Sequence, residues 1–436
     1  MKARVYLLGL LCLCSACAAP SLRYKNDVNK LIAAEKFEQA AQRVSDKRRS
    51  MYARQDFLLA DLDRAALLHD AQNPGESDRL LARAQDRMED LYTRSATKAA
   101  GQLLINDLTA PYQAGAYERA LTYFYRAVNF LQQEDLSGAA VEARKAVFFL
   151  DQLRGSKKNG YNDDPFIQYF ASLIFESVGA RSDARIAREN ALNGYANLGG
   201  LLRVSAPEFS VPDNAAELGE VIVLHYNGRV PLKKKATVQF SWDRIFGLLT
   251  TQQEGNDSLP PETANALAAG WMGHAITLSY PVLEEQSFTV ASSFVQADGQ
   301  VYQMQKMADV AAAAKADLDE RLPGMWFRMA ARAVIKQIAA EQARKAVSGA
   351  TENDGWGQLA GLAVTIFGAA TEQADTRQWF TLPAEIFMTR IFLPPGTQNI
   401  RLLLRDGYGN IVGEHLFEDV AVPRGGRVFL HHRTGR

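Results

Sequence analysis

The feature that most constrains the fold is a change of apolar period near residue 202. From Tyr24 to about Tyr195 apolar residues recur at helical spacing, alanine is abundant and strand-like alternation is absent. After Leu202 the pattern shortens to strand-like runs broken by Asn-Gly, Asp-Gly and Pro-Gly pairs. Such a chain must stack helices on helices first and then build a mixed unit. At 436 residues, with 47% apolar and 22% charged residues, it is long enough for two cores.

Within the helical half the clearest block is Tyr123 to Leu150. Tyr123, Ala127, Phe130, Ala139, Ala143 and Ala146 put small residues where two antiparallel helices approach and large ones in the gaps. Asp135-Leu136-Ser137-Gly138 reads as the intervening turn. These intervals resemble the tetratricopeptide unit. Ala65, Leu68, Ser77, Leu81 and Ala84 repeat them around Asn73-Pro74-Gly75-Glu76. Ser172, Phe175, Ala184 and Ala191 do so around Gly179-Ala180, and Val28 to Val44 turns at Lys36-Phe37-Glu38. The spacing is irregular, which also fits a generic Ala-rich helical bundle. An array of helix pairs offers an extended binding surface, and Tyr112, Tyr117, Tyr123 and Tyr125, with Phe130, are its candidate anchors or groove walls.

Ser205 to Asn214 reads as a loop, giving a helical domain over 24–205 and a mixed domain over 206–436. In the latter, Glu220–Tyr226, Ala236–Trp242, Ala275–Tyr280 and Phe288–Gln296 read as strands, with Gly228–Lys235 and Gln252–Pro261 as loops. Ala297-Asp298-Gly299-Gln300 turns into a strand Val301–Met307. Asp309–Ala346 reads as a helix interrupted at Pro323, with Arg328, Arg332, Lys336 and Arg344 on a partly shared face. Leu359–Ala370 is a short apolar helix, too short to span a bilayer. Strands follow at Ala384–Leu393, Asn399–Arg405, Ile411–Val422 and Arg427–His431. The expected class is therefore α+β multidomain: a tetratricopeptide-like α-helical solenoid, then an antiparallel sheet or sandwich packed by central helices.

The first seventeen residues speak to location. Lys2 and Arg4 precede an apolar run, Val5 to Leu13, and small residues follow: a secretory signal. Cys14-Ser15-Ala16-Cys17 resembles the bacterial lipobox, with Cys14 where leucine is usual. The resemblance implies a signal peptide over 1–16, lipid on Cys17 and a tether over 17–23. Ala16-Cys17-Ala18 also suits ordinary signal peptidase, and an uncleaved anchor is a third option. Ala18 after the lipidated cysteine resembles the outer-membrane-directed pattern, so the expected location is the outer membrane, lipid-anchored and facing the periplasm.

All three cysteines lie at or before Cys17, so the remainder can form no internal disulfide, thiolate nucleophile or thiolate metal site. Formal net charge is zero, which gives no footprint for nucleic acid. No G-x-S-x-G, H-E-x-x-H or Walker A pattern occurs. The six histidines are scattered, and His431-His432 reads as a solvated tail. Asp163-Asp164 before Pro165 reads as a helix start. No catalytic residue, metal or cofactor is therefore assigned. A charged pair beside an indole, Asp375 and Arg377 with Trp379, is the sharpest local candidate for a sugar or peptide site; alternatively the pair fixes the loop feeding the last sheet.

Three stretches carry a wider resemblance: Tyr117-Glu118-Arg119-Ala120 leading to Ala127–Leu131, Gly219 to Pro231, and Ala374 to Trp379 through Leu382-Pro383. Together they resemble a bacterial lipoprotein family without an assigned activity, with N-terminal tetratricopeptide-like repeats and a C-terminal mixed domain. Its members are often described beside lipoprotein activators of penicillin-binding proteins. The resemblance implies a role in cell-envelope or peptidoglycan assembly. The signal, the repeats and the lack of a catalytic set lead to the expectation of a non-enzymatic scaffold or regulator that holds an envelope protein through its repeats. Two alternatives stand beside it: a carbohydrate- or peptidoglycan-active enzyme using carboxylates of the mixed domain, and a structural subunit of a secretion or surface-assembly complex.

Overall fold

The computed structural model describes residues 20–95, 108, 110–156, 160–241, 275–348 and 374–436. Cys17, the loop 252–261, His274 and the apolar stretch 359–370 lie outside the described residues, as do the side chains of Lys336 and Arg344.

Eight helices open the described chain: α1 (Leu22–Ala33), α2 (Phe37–Met51), α3 (Phe57–Asp70), α4 (Pro74–Ser95), α5 (Ala116–Gln132), α6 (Leu136–Ser156), α7 (Pro165–Ser177) and α8 (Arg181–Leu202). They form four antiparallel pairs joined by the same three-residue turn. Its middle residue is left-handed each time: Glu35 (φ 57°), Gln72 (58°), Glu134 (59°) and Gly179 (71°). Its N–H donates to the carbonyl three residues back, and the next N–H donates to the carbonyl five residues back, as in Lys36 N to Leu31 O and Asp135 N to Phe130 O. This doubly bonded exit satisfies the last helical carbonyls. Around each turn two residues twelve positions apart are both buried: Val28 and Ala40, Ala65 and Ser77, Ala127 and Ala139, Ser172 and Ala184. The hydroxyl of Ser77 donates to Ala65 O at 2.9 Å.

The turns lie slightly earlier than expected. Asn73 and Asp135 are the last residues of their turns and also cap the next helix, accepting from Glu76 N (3.3 Å) and Gly138 N (2.8 Å). Pro74 and Leu136 are already the first helical residues. Asp164 caps α7 through Ile167 N, with Pro165 next.

The mixed part has ten strands among the described residues: β1 (Gly219–Asn227), β2 (Leu232–Ser241), β3 (Ala275–Glu284), β4 (Ser292–Ala297), β5 (Gln300–Gln303), β6 (Gln305–Asp309), β7 (Glu385–Leu393), β8 (Gly396–Arg405), β9 (Ile411–Val422) and β10 (Arg427–Thr434). One sheet runs β10-β1-β7-β6, a second β5-β4-β8-β9, and β2-β3 is a separate ribbon. The pairing is not wholly antiparallel: β1 runs parallel to β10, with Leu224 opposite His431. This is possible because the chain leaves β9 in the second sheet and enters the first through the turn 423–426. At that corner Gly219 lies so close to the chain that a Cβ would sit 2.5 Å from Pro423 O.

Other boundaries shift for identifiable reasons. β2 begins at Leu232, not after Lys235; Leu232 is buried, while Lys233 and Lys234 are half-buried and Lys235 is exposed along the ribbon. The strand expected over 301–307 is two. β5 pairs with β4 in the second sheet and β6 with β7 in the first, and buried Met304 marks the switch. The last long helix, α9 (Val310–Ser348), continues through Pro323. Proline removes one hydrogen bond, but the turns beside it are held. Asp317 pairs with Arg321 at 3.0 Å, and Trp326 packs on Phe240 and Tyr280. His431 and His432 lie inside β10, not in a solvated tail.

The result is three layers. All nine residues of β1 are buried. Val221 and Val223 face the second sheet, in a core with Ile391, Ile400 and Leu402. Ile222, Leu224 and Tyr226 join the helical core. The boundary expected at 205/206 falls in the connection between α8 and β1, and this larger core crosses it. The first helix of each pair is the more buried one, the inner helix of its pair; twelve of fourteen residues of α3 are buried.

Candidate functional site

Residues 374–381 run along the inner helices α1, α5 and α3 and are tied to each. Lys25 Nζ in α1 donates to Thr376 O at 2.7 Å. Arg377 grips Asp375 with Nε (2.9 Å) and Nη2 (2.7 Å), and reaches Asp56 Oδ1 (2.6 Å) and Ala110 O (2.8 Å) with Nη1. Trp379 N donates to Glu118 Oε1 in α5 at 2.9 Å. Phe380 N donates to Asp63 Oδ1 in α3 at 3.1 Å. Gln378 Nε2 turns the other way, to Pro231 O at 2.8 Å.

These acids are on inner helices because α3 and the start of α5 have no solvent-facing side. Each buried carboxylate is therefore matched with donors. Glu118 also accepts from Gly115 N at 2.7 Å, closing the first turn of α5, and from the hydroxyl of Tyr112. Asp63 accepts from the Tyr52 hydroxyl at 2.9 Å. Burial pushes the Asp63 carboxyl up to about 8, against the pull of those bonds and of Lys25. Burial also pushes Asp375 upward, but the Arg377 guanidinium more than offsets it and holds the carboxyl below its usual value. Burial lowers Lys25 to about 8.

A second polar centre lies between α3, α5, β1 and β10. Asn129 Nδ2 donates to Ser77 Oγ, whose own proton goes to Ala65 O. Asn129 Oδ1 therefore accepts from His69 Nδ1 at 2.7 Å, which leaves His69 Nε2 as the acceptor facing the Tyr226 hydroxyl at 3.4 Å. The His431 ring lies 4.4 Å from that of His69 and meets the amides of Gln72 and Gln132. Burial drives His69 down to about 4, so the cluster is neutral at physiological pH. Beside it Asp70 and Arg433, both buried, approach to 3.9 Å; burial raises Asp70 to about 7 against the attraction of Arg433.

The structure brings Asp375, Arg377 and Trp379 together and shows what they contact. Arg377 is 3% exposed and Trp379 0%; the guanidinium bonds Asp375, Asp56 and Ala110 O, and Trp379 Nε1 donates to Thr381 Oγ1 at 3.1 Å. Tyr123 and Phe130 lie elsewhere, half-buried on the α6 side of α5: Tyr123 is 5.8 Å from the Phe149 ring, and Phe130 stands under Arg126. Tyr112, Tyr117 and Tyr125 are core residues, not exposed anchors. Asp56, Asp63, Glu118, Lys25 and His69 were not singled out by motif. For Asp63 and His69 the signal is the composition of α3, FLLADLDRAALLHD, which is apolar on every side, so its acids and histidine must be buried.

A separate cleft of about 600 Å³ opens between the end of α6, the loop 160–164 and α8. It holds one carboxylate, Asp163, paired with Arg154 at 3.0 Å. Among the described residues no group of three or more His, Cys, Asp and Glu is placed to hold a metal ion, and no helix is long and apolar enough to cross a membrane.

No known protein family matches the chain, and neither curated proteins nor solved structures gave a match. Residues 117–131, 219–231 and 374–383 converge in space. The Trp379 ring lies 5.7 Å from that of Tyr125, Tyr125 lies 5.9 Å from Tyr226, and Val230 N donates to Leu382 O at 3.0 Å.

Proposed function

We propose that this protein is a non-enzymatic lipoprotein of the bacterial cell envelope. Lipid on Cys17 anchors it to the outer membrane facing the periplasm, and a tetratricopeptide-like array holds an envelope protein, in peptidoglycan or envelope assembly. The observation that carries this reading is the fourfold recurrence of one turn geometry, with buried residues twelve positions apart on either side of it. Such pairs make an extended surface suited to another protein. The inner side of this array is engaged by residues 374–381, so the partner is assigned to the outer helices. There Val141, Phe148, Ile186 and Leu192 are exposed, and Arg144 of α6 joins Asp183 of α8 at 3.2 Å.

The test is crosslinking in cells followed by purification from membranes. Enrichment of one envelope protein, such as a peptidoglycan synthase, over a Cys17→Ala control supports the reading. Hydrolysis of peptidoglycan or glycans by the purified protein would contradict it.

A further inference from the structure

We propose that one end of the helical array, formed by the start of α1 and the end of α2, docks on the anionic headgroups of the membrane that holds the Cys17 lipid; this rests on the lipoprotein reading and adds an electrostatic contact to it. Leu22, the first residue of α1, follows Cys17 by five positions. Five residues of extended chain reach about 18 Å at most. The lipid therefore holds the start of α1 close to the membrane surface. α2 runs back antiparallel to α1, so its last turn shares that end. The Tyr24 and Tyr52 rings, 6.0 Å apart, join the two there.

This end is basic. It carries Arg23, Lys47, Arg48 and Arg49, and Arg54 in the short 3-10 turn Arg54–Asp56. Arg23, Arg49 and Arg54 are exposed and Lys47 is half-buried. The acids nearby are engaged within the protein: Asp56 and Asp375 by Arg377, Asp61 by Arg48 and Arg83, and Asp46 by the Gln42 amide. Residues 17–21 bring no charged side chain. Helix dipoles account for only part of the pattern. Cations suit the last turn of α2, but Arg23 stands in the first turn of α1, where the dipole disfavours it and there is no acid. Leu22 beside it is 39% exposed, so an apolar side chain and a cation are presented together, as contact with a headgroup layer requires. At the other end of the same helix pair Lys30 and Lys36 stand among Asp27, Glu35 and Glu38, without such an excess. Each Lys or Arg near an anionic surface strengthens attachment roughly fivefold. The tether keeps headgroups at high local concentration, so a patch of this size suffices.

No cysteine follows Cys17, so Ser50→Cys at this end, or Gln39→Cys at the other, supplies a single thiol for a fluorophore. The full chain purified from membranes is reconstituted into vesicles of phosphatidylcholine, alone or in equal parts with phosphatidylglycerol, each doped with a lipid whose headgroup carries a quenching nitroxide. Quenching at Ser50→Cys should be at least about twofold greater in the anionic vesicles and should fall to the neutral level in about 0.5 M salt. Quenching at Gln39→Cys should be the same in both. Arg49→Gln/Arg54→Gln should remove most of the difference at Ser50→Cys, and the charge-matched Lys30→Gln/Lys36→Gln should keep it, with melting temperatures unchanged. Equal quenching at Ser50→Cys in neutral and anionic vesicles, insensitivity to salt, or equal loss in the two double variants each overturns the proposal. Mass spectrometry of the first peptide separates the two levels. Lipid on Cys17 together with any of those results sinks the docking and leaves the anchor standing. A Cys17 without lipid sinks the anchor and the docking with it.

Discussion

Arg377 places Nη1 2.6 Å from Oδ1 of Asp56, a residue 321 positions earlier, and both side chains are under 5% exposed. This contact locks the segment that feeds β7 to the entrance of α3. It also makes the helical and mixed parts of the chain share one buried charge network.

Replacing Arg377 with Ala leaves Asp56 and Asp375 without their common cation. Breaking a buried pair from one side costs about 3–5 kcal/mol. Urea unfolding of Arg377→Ala should show that loss. An unchanged midpoint would mean that the guanidinium does not hold the segment.

Glu118 gathers Trp379 N, Gly115 N and the Tyr112 hydroxyl on one carboxylate. Glu118→Ala strands those donors, each costing about 1–3 kcal/mol if left unsatisfied. Glu118→Gln keeps an acceptor oxygen and should be milder. Equal destabilisation by both would show that charge alone, not the count of accepted bonds, sets the cost.

His69 titrates at about 4 in the fold because burial penalises its cation, against about 6.5 in an unfolded chain. A lowered histidine pKa means that the unfolded state binds the proton first. Its contribution is therefore complete above about pH 6.5 and is lost as pH falls toward 4, to the extent of about 3 kcal/mol. Asp70, raised to about 7 by burial, acts in the opposite sense, so total stability mixes the two. The difference between wild type and His69→Gln isolates the histidine. Unfolding from pH 7.5 to 4 should show the gap between them narrowing as pH falls. A gap constant with pH contradicts the neutral buried assignment.

Gly219 stands where β1 meets the turn before β10. A methyl there would collide with Val422 Cγ1 and come within 2.5 Å of Pro423 O. Gly219→Ala should cost about 1–3 kcal/mol as an overpacked site. Wild-type stability would show that the turn 423–426 can retreat.

The helical half was readable because its rule is local. Ala127, Ala139, Ser172 and Ala184 are buried, as helical spacing alone predicts. The turns were misplaced by a few residues because Asn73 and Asp135 suit a turn and a helix cap equally well in composition. The parallel pairing of β1 with β10 was invisible: over 200 residues separate the partners and no local signal encodes the register. Pro323 misled because tertiary packing on both sides outweighs the lost bond. At the candidate site, Asp375 and Arg377 were legible as a local pair. Asp56 and Glu118 were not, since their roles arise only when the last third of the chain returns to the first helices.

The most direct test of the scaffold claim is site-specific photocrosslinking in living cells. A photoreactive residue is placed at Val141, Phe148 or Ile186 on the outer helices, and at Tyr408, 94% exposed on the far sheet, as comparison. The account predicts one recurrent envelope-protein adduct from the helical positions, lost with Cys17→Ala and absent from Tyr408. Adducts from Tyr408 alone, or none from the three helical positions, would contradict it.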